Sequence, residues 1–358
     1  MKIATDVALP IRVASTQASR LPDVDFDNIP FGRTFSDHMF IMDYRDGEWH
    51  DARIESFGPM PMHPATSGIH YGQSIFEGMK AYRTADDKPV LFRPDRNIAR
   101  FNKSAKRMAM PEVPEELFER ALLQLVGMDS GWVPNRPGSA LYIRPFMFAT
   151  EDFIGIKIAD HYRFMIITCP VGKYYTKPVA VRVAENYVRA FPGGTGYAKA
   201  AGNYGATMEP LRLARELGYD QVLWLDGVNF QEVHEIGTMN VFFVFKDKVV
   251  TPSTGTGVIL EGVTRESVIE LLRDRGDEVE ERMITMDEVM AGYEDGSLLE
   301  IFGTGTAATI AQINRLGRGD KDLVFEESRW GTSNWVRDEM NALRTGLKPD
   351  RFGWNVPV

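Results

Sequence analysis

The chain has 358 residues, enough for about two domains with sizeable cores. Hydrophobic residues make up 44% and charged residues 25%, and the net charge of −9 argues against a nucleic-acid-binding protein, which would usually show a basic face. One cysteine, Cys169, excludes an internal disulfide, and no run approaches the roughly 20 apolar residues of a membrane span.

The N-terminal stretch MKIATDVALPIRVAST lacks the apolar run of a signal peptide, so a cytoplasmic protein with no membrane partner is expected. The first 30 residues, rich in Pro and Asp, read as an arm. MFIMDY, Asp46-Gly47 and ARIESF then predict a hairpin. A helix follows Pro94, with Ile98, Phe101, Ala105 and Met108 on one stripe, and a second follows Pro114, carrying Phe118, Leu122 and Leu125. ALYIRPFMFA and YRFMIITCPV read as buried strands. PVGKYYTKPV (170–179) reads as an interdomain linker, between a domain at 1–169 and another at 180–358.

Beyond the linker, VAVRVAENYV predicts a strand and NYGATMEPLRLARELG a single helix ending at Gly218. QVLWLDGVNFQEV predicts a hairpin about Asp226-Gly227, and NVFFVFKDKVVTP two short strands. VTRESVIELLRDRG reads as a helix, and LLEIFGTG as a strand entering a glycine turn. Helices and strands in both halves imply an α/β protein of α+β type, with two domains and mixed sheets.

Three acidic residues, Asp23, Asp25 and Asp27, begin like a calcium loop. Asn28 and Thr34 stand where glycine and a bidentate glutamate are needed, and the six histidines show no zinc spacing, so no metal site is expected. Gly303-Thr304-Gly305-Thr306-Ala307-Ala308 fits the G-x-G-x-x-A dinucleotide fingerprint, with Asp320 at ribose distance. It comes too near the end to be followed by the βαβ units of that fold.

GGTG, STGTG, LEGVTRE and FGTGTA form a more informative set. Backbone N–H groups in such turns make anion sites, above all where Val263 and Thr264 open a helix. Taken singly, each is more simply a turn. In the same half, the tract GGTGYAKAAGNYG sets Lys199 among five glycines and three alanines. A desolvated lysine forms a Schiff base with an aldehyde, and the cofactor joining an aldehyde to a phosphate is pyridoxal phosphate. Glu235 in HEIGTMN is a candidate acid for its ring nitrogen, and Arg100 in RPDRNIARF a candidate for its phosphate. Any one of these alone reads as a solvated side chain, and only their joint presence supports the reading.

From about Phe31 to Gly317 the chain resembles the branched-chain amino acid aminotransferases, fold-type IV pyridoxal phosphate enzymes. The motifs are FGRTFSDHMF, HYGQSIFEGMKAY, LFRPDRNIARF, LYIRPF, GGTGYAKAAGNYG, EIGTMN, GVILEGVTRES and FGTGTA. The resemblance implies a smaller N-terminal α/β domain, a larger C-terminal domain with a barrel-like core, and the cofactor between them. It implies Lys199 as the Schiff-base and proton-shuttling residue, with Glu235 at the pyridine nitrogen and Tyr204 at the ring oxygen. Arg100, Val263, Thr264 and Thr306 would bind the phosphate.

For the substrate it implies Tyr142, Thr306 and Ala307 at the α-carboxylate, with Thr238 also in the pocket. An apolar wall would come from Phe31, Phe76, Tyr174, Tyr71, Ile154 and Ile156, with Tyr71 and the 151–157 loop given by a neighbouring subunit of a homodimer or higher oligomer. Arg144 would reach the distal carboxylate of glutamate, since a hydrocarbon wall does not offset the desolvation of a carboxylate. The implied reaction passes the amino group of L-leucine, L-isoleucine or L-valine to 2-oxoglutarate, in synthesis or breakdown. The C-x-x-C switch of animal members is replaced by Ala308-Thr309-Ile310-Ala311. The rival readings are a D-amino acid aminotransferase or aminodeoxychorismate lyase within the fold, a nicotinamide-dependent oxidoreductase, and a silent binding protein.

Overall fold

The computed structural model describes residues 9–16 and 18–358. It divides into two compact units, one of Met1–Gly172 with Arg344–Val358 and the other of Lys173–Leu343. The last residues thus belong to the first unit, unlike the expected second domain at 180–358.

The first unit holds strands β1 (Arg12–Val13), β2 (His38–Arg45), β3 (Glu48–Ser56), β4 (Ser74–Phe76), β5 (Met79–Arg83), β6 (Pro89–Phe92), β7 (Ala140–Ala149) and β8 (Tyr162–Val171). Its helices are α1 (Ser67–Tyr71), α2 (Pro94–Arg107) and α3 (Glu115–Met128). The β2–β3 hairpin closes on Asp46 and Gly47, whose φ of 55° and 81° are the left-handed pair a two-residue turn requires. α2 opens with Pro94 at its start, where a missing N–H costs nothing, and buries Ile98, Phe101 and Ala105. These pack with Phe118 of α3 and Phe164 of β8, the Phe118 and Phe164 rings meeting edge-on at 4.7 Å. The arm is partly docked: β1 pairs parallel with β3, and Leu9, Ile11, Leu21 and Val24 lie against the same cluster. In it Asp25 only closes a local turn with Asp27 and Asn28.

The second unit holds β9 (Val179–Val183), β10 (Gln221–Leu225), β11 (Val233–Ile236), β12 (Asn240–Phe245), β13 (Val249–Thr251), β14 (Val279–Glu281), β15 (Leu298–Gly305), β16 (Thr309–Arg318) and β17 (Lys321–Val324). They form a mixed sheet in the order β11-β10-β9-β16-β15-β12-β13-β14, with β17 on β16. Its helices are α4 (Ala201–Gly205), α5 (Met208–Glu216), α6 (Val263–Arg275), α7 (Met286–Glu294) and α8 (Gly331–Arg344), the last ending at the boundary. A final strand, β18 (Asn355–Pro357), closes the sheet of the first unit against β6.

Three expectations need correction. The single helix from Asn203 to Gly218 is two, α4 and α5. Pro210 has no N–H and would clash with the carbonyl of Ala206 in a continuous helix, but is tolerated in the first turn of α5. The strand VAVRVAENYV stops at Val183. The β10–β11 connection is no two-residue turn at Asp226-Gly227, because Asp226 accepts backbone N–H bonds from Val228, Asn229, Gln231 and Glu232 and so organises a longer loop. Burial alone would raise its pKa, but those four donors hold it well below the usual carboxylate range.

Candidate active site

In the second unit Lys199 meets Tyr204 of α4, and Tyr204 and Glu235 of β11 line one cleft. Lys199 follows a turn closed by Ala198 N–H on Thr195 O, and its half-buried amine donates to Tyr204 Oη at 3.1 Å. Gly196 has no room for a side chain: a Cβ there would stand 2.5 Å from both Ala190 Cβ and the carbonyl oxygen of Val258. Its own carbonyl accepts from Arg189 Nη2 at 3.0 Å.

Glu235 lies on β11, buried. Its Oε1 accepts from Asn240 Nδ2 at 3.0 Å and from the backbone N–H of Leu260 at 3.3 Å, while Oε2 meets Arg189 Nη2 at 2.5 Å. Arg189 is shared: the same nitrogen also reaches Val258 O at 2.7 Å, and its Nε is buried without a partner. One cleft is lined by Arg189, Asn203, Tyr204, Thr207, Glu235, Gly237, Thr238 and Leu260. The next residue on β11, His234, is buried, its pKa pushed down to about 4 by desolvation and then by the Arg189 charge.

Val263 and Thr264 stand at the first turn of α6, both buried, behind Gly262, and no side chain caps that terminus. Its first N–H groups therefore carry no side-chain cap, and such a terminus is able to accept an anion. A Cβ at Gly262 would overlap Asn240 Oδ1, so the same contact joins this helix to the Glu235 network. β15 runs beside β12 with Thr304 opposite Asn240, and Thr306 and Ala307 form the turn into β16. That antiparallel hairpin disposes of the dinucleotide reading, which needs Gly303 and Gly305 between a strand and a helix. Here both glycines let the side chain of Met239 approach.

Phe31, Phe76, Tyr142 and Arg144 are gathered in the first unit. Phe31 meets the Tyr142 ring edge-on at 5.3 Å. The Arg144 guanidinium lies 4.5 Å over Phe76 and donates to Tyr142 Oη at 2.8 Å, with its Nε buried and unpartnered. Gly78 leaves the space that Tyr142 Oη fills, since a Cβ there would overlap that oxygen. Arg100 is buried in a two-pronged pair with Glu77, Nε to Oε1 at 2.7 Å and Nη2 to Oε2 at 2.9 Å. Tyr71, Ile154 and Ile156 are not brought to this cluster. They stand exposed, Ile156 at 94%, where the 151–158 loop pairs with the segment before α1. Tyr174, in the second unit, is exposed and edge-on to Tyr175.

The sequence reading missed Arg189, Asn203 and Asn240, although the last two lie inside quoted motifs, GNYG and EIGTMN. Polar residues next to a candidate lysine and acid were the available signal.

An amine, a buried carboxylate and an open helix N-terminus together suit a phosphorylated aromatic aldehyde with a basic ring nitrogen. Among the described residues no group of His, Cys, Asp or Glu is arranged to hold a metal ion, and no helix is long and apolar enough to cross a membrane.

Residues 74–316 match the family described as amino-transferase class IV. The branched-chain-amino-acid transaminase 1 of Bacillus subtilis is 46% identical over 340 residues, covering 93% of this chain and 95% of that one. A branched-chain aminotransferase from Thermoproteus uzoniensis, solved with norvaline, superposes with a TM-score of 0.74 at 25% identity, over 89% of this chain and 99% of that one. The branched-chain amino acid aminotransferase of T.th., complexed with N-(5'-phosphopyridoxyl)-L-glutamate, gives a TM-score of 0.72 at 25% identity, over 88% and 97%.

Proposed function

The chain belongs to the class IV amino-transferase family, and from that premise we propose that it is a pyridoxal-phosphate-dependent branched-chain aminotransferase. It moves the amino group of L-leucine, L-isoleucine or L-valine to 2-oxoglutarate, reversibly. The observation that carries the reading is the half-buried amine of Lys199, 3.1 Å from Tyr204 Oη, in the unit that also buries Glu235 and leaves the α6 N-terminus uncapped.

When bound, pyridoxal phosphate supplies an aldehyde for the amino group and a ring that takes up the electron pair released at the substrate Cα. The backbone N–H groups of Val263 and Thr264, with the Thr264 and Thr306 hydroxyls, would bind the phosphate. Glu235 would hold the proton at the ring nitrogen and Tyr204 would bond the ring oxygen. Lys199 Nζ would hold the cofactor aldehyde and would move the proton at the substrate Cα.

In the first unit the proposed roles are Arg100 at the phosphate, Tyr142 at the α-carboxylate, and Phe31 and Phe76 at the apolar side chain. Arg144 pairs with the distal carboxylate of glutamate. Its stacking on Phe76 supports this, since it orients the guanidinium before the ligand arrives. In the second unit, Thr238 and Ala307 join the α-carboxylate site and Tyr174 the apolar wall.

Tyr71, Ile154 and Ile156 act from a neighbouring subunit. In support, Met62, Ile69, Phe153 and Ile158 are exposed on the same two segments, and clustered exposed apolar side chains mark interaction surfaces. The proposed assembly is therefore a homodimer or higher homo-oligomer, and the lone, buried Cys169 fits a cytoplasmic setting.

The test is amino transfer from L-leucine, L-isoleucine and L-valine to 2-oxoglutarate by the cofactor-loaded protein, read as glutamate formed. Turnover of D-alanine without L-leucine, or a colourless protein that binds NAD, overturns the reading. Replacing Ile154 and Ile156 by serine is expected to weaken self-association in a sedimentation measurement.

A further inference from the structure

The segment that carries Lys199 has few side chains able to hold it. Ala198 and Ala200 are buried but bring only methyl groups, and α4 buries none of its residues and has no side-chain cap. Asn203, on the first turn of α4, supplies polar bonds instead. Its Nδ2 donates to Thr195 O at 2.8 Å and to Ala198 O at 2.9 Å, and its Oδ1 accepts from Thr195 Oγ1 at 2.6 Å. Two carbonyls around the nitrogen and a hydroxyl on the oxygen fit the amide in this orientation alone. The bonded carbonyls mark the start of the turn and the residue just before Lys199. The residue after Asn203 is Tyr204, which receives the amine itself.

We propose that Asn203 is a positioning residue for Lys199, clamping the 195–198 turn to α4 so that the amine is presented in one place. The inference rests on the proposed function for what Lys199 does, but the clamp itself belongs to this chain. A glycine-rich turn released from the clamp samples many backbone conformations, and productive placements of the amine become rarer. The apolar wall and carboxylate sites are on other elements, so substrate affinity should not follow.

The test compares Asn203→Ala, the near-isosteric Asn203→Asp, which loses both donors, and Thr195→Val, which loses one bond. In the cofactor-free protein, amide hydrogen exchange over 195–199 is expected to quicken about tenfold in both Asn203 variants and less in Thr195→Val. Capture of added pyridoxal phosphate, followed by its absorbance, should slow by about the same factor, and kcat should fall with KM for L-leucine unchanged. If Asn203→Asp exchanges and captures like the unaltered protein, the residue only fills space and the proposal falls. A change confined to KM also overturns it. Should a substitution at 203 prevent folding, Thr195→Val alone decides by the same exchange measurement. If the unaltered protein captures no pyridoxal phosphate, the functional reading fails, while exchange still judges the clamp.

Discussion

Each unit buries a glutamate against an arginine, and the two pairs are built for different ends. Glu77 is saturated: Arg100 grips both oxygens, and Asn97 Nδ2 and the backbone N–H of Gly78 bond Oε2 at 2.9 Å each. Such a fork is the geometry in which a buried charge pair best offsets its desolvation. Glu235 meets Arg189 through one nitrogen, and that nitrogen is divided among the carboxylate, Gly196 O and Val258 O. The Glu77 pair ties a strand connection to α2. The Glu235 pair ties an acid, the lysine turn and the Val258 loop around a cleft. The first carboxylate is forked by its arginine and serves the fold, whereas the second shares its arginine with two loop carbonyls and lines a cleft.

The largest effect should come from breaking the saturated pair. Glu77→Ala leaves a buried guanidinium without its carboxylate and should cost about 3–5 kcal/mol in urea unfolding. Glu235→Gln should do the reverse, lowering transamination about 10²–10³-fold with a smaller loss of stability. Equal stability losses at the two positions would break the comparison.

His234 sharpens it through pH. Its pKa is pushed down to about 4 from 6.5, first by burial and then by Arg189, with Asp226 opposing, and its Nδ1 has no partner. Below pH 6.5 the unfolded chain takes up a proton that the folded chain refuses until about pH 4, so stability is full above that window and falls through it. The loss at about pH 5 should be about 2 kcal/mol, and His234→Gln should flatten it in urea midpoints taken at about pH 7 and about pH 5. The smallest effect is a control at the surface. Arg212 bridges Glu209 and Glu216 in the open, and Arg212→Ala should leave the urea midpoint unchanged.

Much of this was legible in the residues. The stripe Ile98-Phe101-Ala105 marked α2, Asp46-Gly47 marked its hairpin, and Val263-Thr264 marked a helix start. These are signals carried within a few residues. Arg189 was not legible, since nothing near it in sequence names Glu235, 46 positions on. The break between α4 and α5 was signalled by Pro210 but masked by the strong helical pattern around it. β18 reached β6 across most of the chain, and three residues carry no pattern long enough to announce such a partner.

By itself the sequence determined the chemistry on offer: one lysine among small residues, an acid, hydroxyl-bearing turns and a family pattern around them. Side-chain identity and short-range spacing suffice for that. Only the tertiary structure decided how Lys199 is held. Asn203 closes on two carbonyls of an irregular turn, and Gly196 packs against Val258 with no room for a Cβ. Backbone groups are the same at every residue, so a bond made to them leaves no mark in the sequence until the chain has folded.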